Sequence, residues 1–164
     1  MIRIILFLLI CSCSIGFSQE KSEVEKRIKK KEVPEKAKEW LKDAFEKKRK
    51  TKWYFQTDGT KKVYEAKLKH KKHLHSVEFY LDGSVKNIEI KIDEDEIFEK
   101  AKQPIFDYLD STFKKYSIKK IQIQYTGDED DLEDLIDENE IEELTINYEI
   151  EYYGKSDDAD ELWE

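Results

Sequence analysis

The chain has 164 residues, a formal net charge of −8, 41% charged residues and two cysteines. That length suits one domain or two small repeats and is ample for a hydrophobic core. Both cysteines, Cys11 and Cys13, fall in the apolar leader, which excludes disulfide staples, thiol catalysis and a Cys-ligated metal in the remainder.

The leader reads as a secretory signal peptide over residues 1–18. Arg3 supplies its positive charge, residues 4–10 are unbroken apolar, and Gly16 and Ser18 occupy the −3 and −1 positions of a cut between Ser18 and Gln19. A lipoprotein signal acylated at Cys13 is the alternative, with Cys11 a poor fit to its consensus. The expected location is therefore the periplasm or the exterior, with a membrane anchor only if Cys13 is lipidated. Charge is sorted along the chain. Residues 19–91 carry 22 Lys/Arg against 13 Asp/Glu, and residues 92–164 carry 7 against 25. Such polarity steers a charged partner or joins the two halves, or two copies, to each other. Export and net acidity argue against nucleic acid.

Residues 19–32 are charged and nearly free of core residues, so they read as a solvated tail or a helical extension. A first helix follows. Pro34 sits in its first turn, and Val33, Ala37, Trp40, Leu41, Ala44 and Phe45 form one apolar face. Next comes a meander with strands at 53–57, 62–70, 73–81 and 85–92, punctuated by Asp58-Gly59 and Asp82-Gly83. Asp-Gly between alternating runs signals a hairpin, because Gly adopts positive φ without a Cβ clash. Tyr64, Ala66 and Leu68, then Val77, Phe79 and Leu81, then Ile88, Ile90 and Ile92 mark the core face. The alternate residues, Glu65, Ser76, Glu78 and Asn87 among them, are expected to meet water.

The pattern recurs more weakly. Ile97, Phe98, Ala101, Ile105, Leu109, Phe113 and Tyr116 mark a second helical segment, which Pro104 splits or kinks. A strand at 118–126 follows, then an acidic stretch at 128–143 with a helical turn around Leu132, Leu135 and Ile136. A further strand spans 144–153. The fold class is α+β, with units at 33–92 and 93–164, helix first and strands after, in each.

Several of these motifs match a known family. They are Val33-Pro34 with Trp40-Leu41, Lys52-Trp53-Tyr54, Asp58-Gly59, Val63-Tyr64-Glu65-Ala66, and Val77-Glu78-Phe79 before Asp82-Gly83. In the second unit they are Ile121-Gln122-Ile123 with Tyr125, and Tyr148-Glu149-Ile150. On these residues the chain resembles the PepSY-like, beta-lactamase-inhibitor-like proteins exported by Bacteroidetes. The resemblance implies helices on one face of an antiparallel sheet, in tandem units, and an exported non-catalytic module; related folds bind or inhibit enzymes. Two departures stand out: the acidic insertion, and a chain that stops at Trp163-Glu164 where relatives continue into another turn and strand. An incomplete last strand would leave an edge for a partner or a second copy.

No Gly-rich phosphate loop, nucleophile elbow or Ser–His–Asp arrangement is present, so neither an enzyme nor a cofactor is expected. His73 and His75, two apart on a strand, are the metal candidates, weakened by neighbouring Lys69, Lys71 and Lys72. The acidic stretch lacks EF-hand spacing, which leaves only diffuse Ca²⁺ binding. Trp40, Phe45, Trp53, Phe55 and Phe79 are the expected aromatic core. Tyr54, Tyr80 and Tyr153 fall out of phase with the apolar faces and are the protein-binding candidates, since Tyr gives contact area at low entropy cost. The leading expectation is a binding or inhibitor-like module for an unknown protein partner. The alternatives are an envelope protein responsive to a cation or small ligand through its acidic segment, and a self-associating structural module.

Overall fold

A computed structural model describes residues 23–45, 50–155 and 160–163. The signal peptide, its cut at Ser18/Gln19 and Cys13 lie outside the described residues. Eight strands form one antiparallel sheet in sequential order. They are β1 (Glu23–Ile28), β2 (Lys52–Asp58), β3 (Lys61–His70), β4 (His73–Phe79), β5 (Val85–Ile92), β6 (Lys115–Thr126), β7 (Thr145–Lys155) and β8 (Asp160–Trp163). Three helices, α1 (Glu35–Ala44), α2 (Glu99–Thr112) and α3 (Glu129–Asp137), cover one face. The architecture is thus α+β with an antiparallel sheet.

Alternation fixes which side faces the helices. Trp53, Ala66, Val77, Ile88, Tyr125 and Ile146 lie in one cross-strand row, and Leu68, His75, Ile90, Ile123 and Tyr148 in the next. Helix α1 presents Ala37, Trp40, Leu41 and Ala44 to this surface. The Trp40 ring meets Phe79 edge-on at 5.9 Å between centroids, and Trp53 lies 5.8 Å from the same ring. Of the expected aromatic core, Phe55 is only half-buried and packs on Tyr64 at 5.2 Å. Leu132, Leu135 and Ile136 of α3 bury against α1 and β5. The Trp40 indole N–H donates to the Glu129 carbonyl at 3.2 Å, and Lys36 pairs with Glu129 at 2.7 Å. The acidic insertion therefore holds a core-forming helix, and its charged N-terminal turn faces the basic first helix. Leu109, Phe113 and Tyr152 form a smaller cluster under α2.

Both Asp-Gly pairs sit at turns. Gly59 and Thr60 join β2 to β3, with Gly59 at φ 55. Gly83 has φ 90, and a Cβ there would lie 2.9 Å from the Pro34 side chain, so the turn needs Gly twice over. This turn begins earlier than the alternation implies. Tyr80 N–H donates to the Ser84 carbonyl and Gly83 N–H to the Tyr80 carbonyl, both at 2.9 Å. The strand expected at 73–81 consequently ends at Phe79, and Leu81 is exposed rather than core.

Three other expectations are corrected. The supposed tail contains β1, which pairs along the whole of β2 from Glu23↔Asp58 to Ile28↔Trp53. Its charged residues suit an edge, where unpaired N–H and C=O groups invite other chains. Pro104 does not split the second helical segment in two: α2 is one helix from Glu99 to Thr112 with Pro104 inside it, forgoing one intrahelical hydrogen bond. After β7 the chain returns as β8, pairing Tyr152↔Trp163 to Lys155↔Asp160.

The helices enter in the same way. At a 3-10 turn over Lys30–Glu32 the Lys29 N–H donates to Glu32 Oε2 at 2.9 Å, and at one over Glu94–Glu96 the Asp93 N–H donates to Glu96 Oε2 at 3.0 Å. Each follows a strand and leads into a helix. Residues 32–38 read EVPEKAK and residues 96–102 read EIFEKAK, and Val33 and Ile97 are both 4% exposed. The order strand, 3-10 turn, helix, three strands thus occurs at β1–β4 and again at β5–β8, with α3 inserted.

Candidate binding site on the open sheet face

No described helix covers the other face of the sheet. Period-two alternation puts there Tyr54, Glu65, Glu78 and Asn87 in one row, and Lys52, Lys67, Ser76, Glu89 and Gln124 in the next. These are the residues that alternation alone assigns to water. Glu65 is instead 4% exposed, Asn87 4%, and Gln56, Ser76 and Glu78 are buried too. Gln56, Glu65, Ser76 and Glu78 line a shallow depression of about 390 Å³, to which strands β1 to β7 contribute, Glu25 of β1 and Glu149 of β7 being at its extremes.

The floor is a polar network. Ser76 Oγ donates to Glu65 Oε1, and Lys67 bridges Glu65 and Glu25. Lys86 Nζ and Asn87 Nδ2 donate to Glu78 Oε2 at 2.6 and 2.9 Å. Gln122 and Gln124 each donate to a Glu89 oxygen at 3.0 Å. Lys120 pairs with Glu149 at 3.4 Å and Glu151 at 3.6 Å. Burial pushes the Glu65 carboxyl up to about 7, against the opposing pull of the Ser76 hydroxyl and Lys67. Burial draws the Lys67 ammonium down, but its hydrogen bond to Glu25 and the charges of Glu65 and Glu25 hold it above its ordinary value.

The expected tyrosines do not converge. Tyr54 lies on the open face with the Lys67 ammonium over its ring at 5.1 Å. Tyr80 projects from the β4–β5 turn. Tyr153 is on β7, five strands from β2, with Lys119 over its ring at 4.6 Å. The arrangement gives one tyrosine beside the depression and two remote from it.

The histidines are also placed. His75 is buried on the helix-covered face, its ring edge-on to Phe45 at 5.8 Å and His70 at 5.4 Å. Burial pushes its imidazole down to about 4. His73 Nδ1 lies 2.9 Å from the Lys91 carbonyl and Nε2 lies 3.3 Å from Glu96. The two rings thus have separate neighbours, and no three His, Cys, Asp or Glu residues among those described group to hold a metal ion. No described helix is long and apolar enough to cross a membrane. No protein-family model, curated protein or solved structure matches this chain.

Proposed function

We propose that the chain is an exported, non-catalytic binding module of PepSY-like character, built from two tandem units, whose open sheet face holds another protein. The observation that carries this reading is the uncovered sheet face with buried polar groups at its floor. A face that only met water would keep its carboxylates solvated, because an ionised group loses several kcal/mol of hydration on burial, in the order of magnitude that applies to real proteins. The recurrence of EVPEKAK as EIFEKAK at the entry of both helices supports the tandem reading, with units that begin at β1 and β5 rather than at the helices.

Capture from an envelope extract of the source organism tests the reading. The mature chain and a helix-face variant, Lys42→Glu, should retain one stoichiometric protein. Glu89→Arg, in the middle of the open face, should lose it. Retention by Glu89→Arg, or no partner with any of the three, counts against the open face. A salt-sensitive dimer with no partner would favour self-association, and a melting temperature raised by millimolar Ca²⁺ would favour the cation-responsive alternative.

A further inference from the structure

A groove runs between α1 and the β1 edge of the sheet. One wall is the C-terminal end of β1 with the 3-10 turn that follows it, and the other is the side of α1 that carries Glu35, Lys38, Glu39 and Lys42. Its apolar lining is Ile28, Leu41, Phe45, Trp53 and Leu68, with Ile28 and Trp53 direct cross-strand partners. Of these five side chains only Trp53 carries a polar atom, its indole N–H. The groove has a volume of about 1070 Å³, against about 390 Å³ for the depression on the open face. That volume is at the top of the range of roughly 300–1,000 Å³ found for small-ligand sites.

The mouth of the groove is cationic. Arg27, Lys29, Lys30, Lys38, Lys42 and Lys52 border it, against two carboxylates, Glu35 and Glu39. Lys38 pairs with Glu35 at 2.5 Å, and Lys42 lies 3.5 Å from Asp43. Arg27, Lys29, Lys30 and Lys52 are exposed and have no ion-pair partner among the described residues. Lysine stems extend an apolar wall while their ammonium groups reach water, so the same side chains serve both parts of the groove.

We propose that this groove binds a single-tailed anionic amphiphile, its alkyl tail along the apolar lining and its carboxylate or phosphate head among the cations of the mouth. An alkyl tail asks for no hydrogen bond, which suits a lining with one polar side-chain atom. A polypeptide in the same place would bring backbone N–H and C=O groups that these side chains cannot pair. The head needs positive charge, and Arg27, Lys29, Lys30 and Lys52 supply it without breaking an ion pair already made. Glu39 opposes it, and Glu35 is already occupied by Lys38. The groove is separate from the open-face depression, so its ligand does not depend on a protein held there.

Amide and indole chemical-shift titration of the mature chain tests it, with dodecanoate, dodecyl phosphate, octanoate, neutral dodecyl maltoside and a tetraglutamate peptide as probes, each below micelle formation. Dodecanoate or dodecyl phosphate should give saturable shifts at Ile28, Leu41, Phe45, Trp53 and Leu68. Saturation by dodecanoate alone assigns the groove to a free fatty acid, and saturation by dodecyl phosphate extends it to single-chain phospholipids. Octanoate should bind roughly tenfold or more weakly than dodecanoate, because fewer methylenes are buried. The double variant Lys29→Glu/Lys30→Glu should weaken dodecanoate binding roughly fivefold or more. Ile28→Gln is a second variant, expected to weaken it in the same direction if the double variant does not fold. Equal affinity for dodecanoate and dodecyl maltoside, or unchanged binding in folded Lys29→Glu/Lys30→Glu, would show that the cations select nothing and would overturn the proposal. Saturable shifts at the same residues with tetraglutamate and none with dodecanoate would overturn it in favour of an acidic peptide.

Discussion

Two buried titratable groups on opposite faces of the sheet set opposing pH dependences. Glu65 titrates near 7 in the fold and near 4.5 when solvated, so the folded chain holds a proton that the unfolded chain gives up between those values. Its contribution is most favourable below pH 4.5 and is lost as pH rises to 7, by about 3 kcal/mol at most. His75 titrates near 4 in the fold and near 6.5 when solvated, so here the unfolded chain takes the extra proton. Its contribution is present above pH 6.5 and is lost as pH falls to 4, again by about 3 kcal/mol at most. Between pH 4.5 and 6.5 the two slopes nearly cancel. Urea unfolding should therefore show a flat profile there for the parent chain. Glu65→Gln should be the more stable protein at pH 8 and should lose stability on acidification below 6.5. His75→Leu should instead gain stability as pH falls through 7. Identical profiles for all three proteins would show that neither group is buried as described. At the same scale, Trp53→Ala should cost about 3–5 kcal/mol, since the ring is 4% exposed against Phe79 and its loss leaves a cavity.

At the scale of elements, α3 shows which force docks a charged insertion. Its ion pair with Lys36 joins side chains 52% and 38% exposed, so solvent screens it, whereas Leu132 is fully buried. Leu132→Ala should cost about 2–5 kcal/mol and Lys36→Ala under about 1 kcal/mol, read by denaturant midpoints. The reverse ranking would mean that charge, not the apolar face, docks the helix. Gly83→Ala should cost about 1–3 kcal/mol, because the turn needs positive φ and leaves no space beside Pro34. These elements were unequally legible in the sequence. Strands β2 to β7 announce themselves because a half-buried strand alternates, and the Asp-Gly turns mark two of their junctions. Strand β1 does not, because in an edge strand reading EVEKRI residues 24–27 are exposed, Ile28 is half-buried, and the charge content is that of a tail. The buried polar floor of the open face was not legible either. Glu65, Ser76, Glu78 and Asn87 are polar residues at alternate positions, which is what a solvated face looks like in one strand. Their burial comes from cross-strand register, which sets Glu65 beside Glu78 and brings Lys67 and Lys86 onto their carboxylates. The near repeat of EVPEKAK as EIFEKAK was present in the residues, yet it becomes evident only when the two 3-10 turns, each with its glutamate carboxylate on a preceding backbone N–H, are aligned.

For the whole molecule, the sheet and the charge polarity make the two halves one cooperative structure. Strand β5 pairs with β6 from Ile88↔Tyr125 to Ile92↔Ile121, and one core cluster runs from Val33 to Ile136. Helix α3 belongs to the acidic half but covers α1 and β5 of the basic half, and Lys72 pairs with Glu96 across the same boundary at 2.6 Å. A cut between Ile92 and Asp93 would strip Leu132, Leu135 and Ile136 from α1 and turn β5 into an exposed edge bearing Ile88 and Ile90. Each fragment would then bury too little apolar surface to offset its ordering entropy, roughly 1–2 kcal/mol per residue for the backbone alone. Fragments 19–92 and 93–164 should each lack a cooperative thermal transition by circular dichroism. Mixed at low salt, where opposite charges attract across a longer Debye length, they should regain one transition. Two independent transitions at the parent melting temperature would instead establish self-sufficient tandem domains, and would move the interface between β5 and β6 from core to contact.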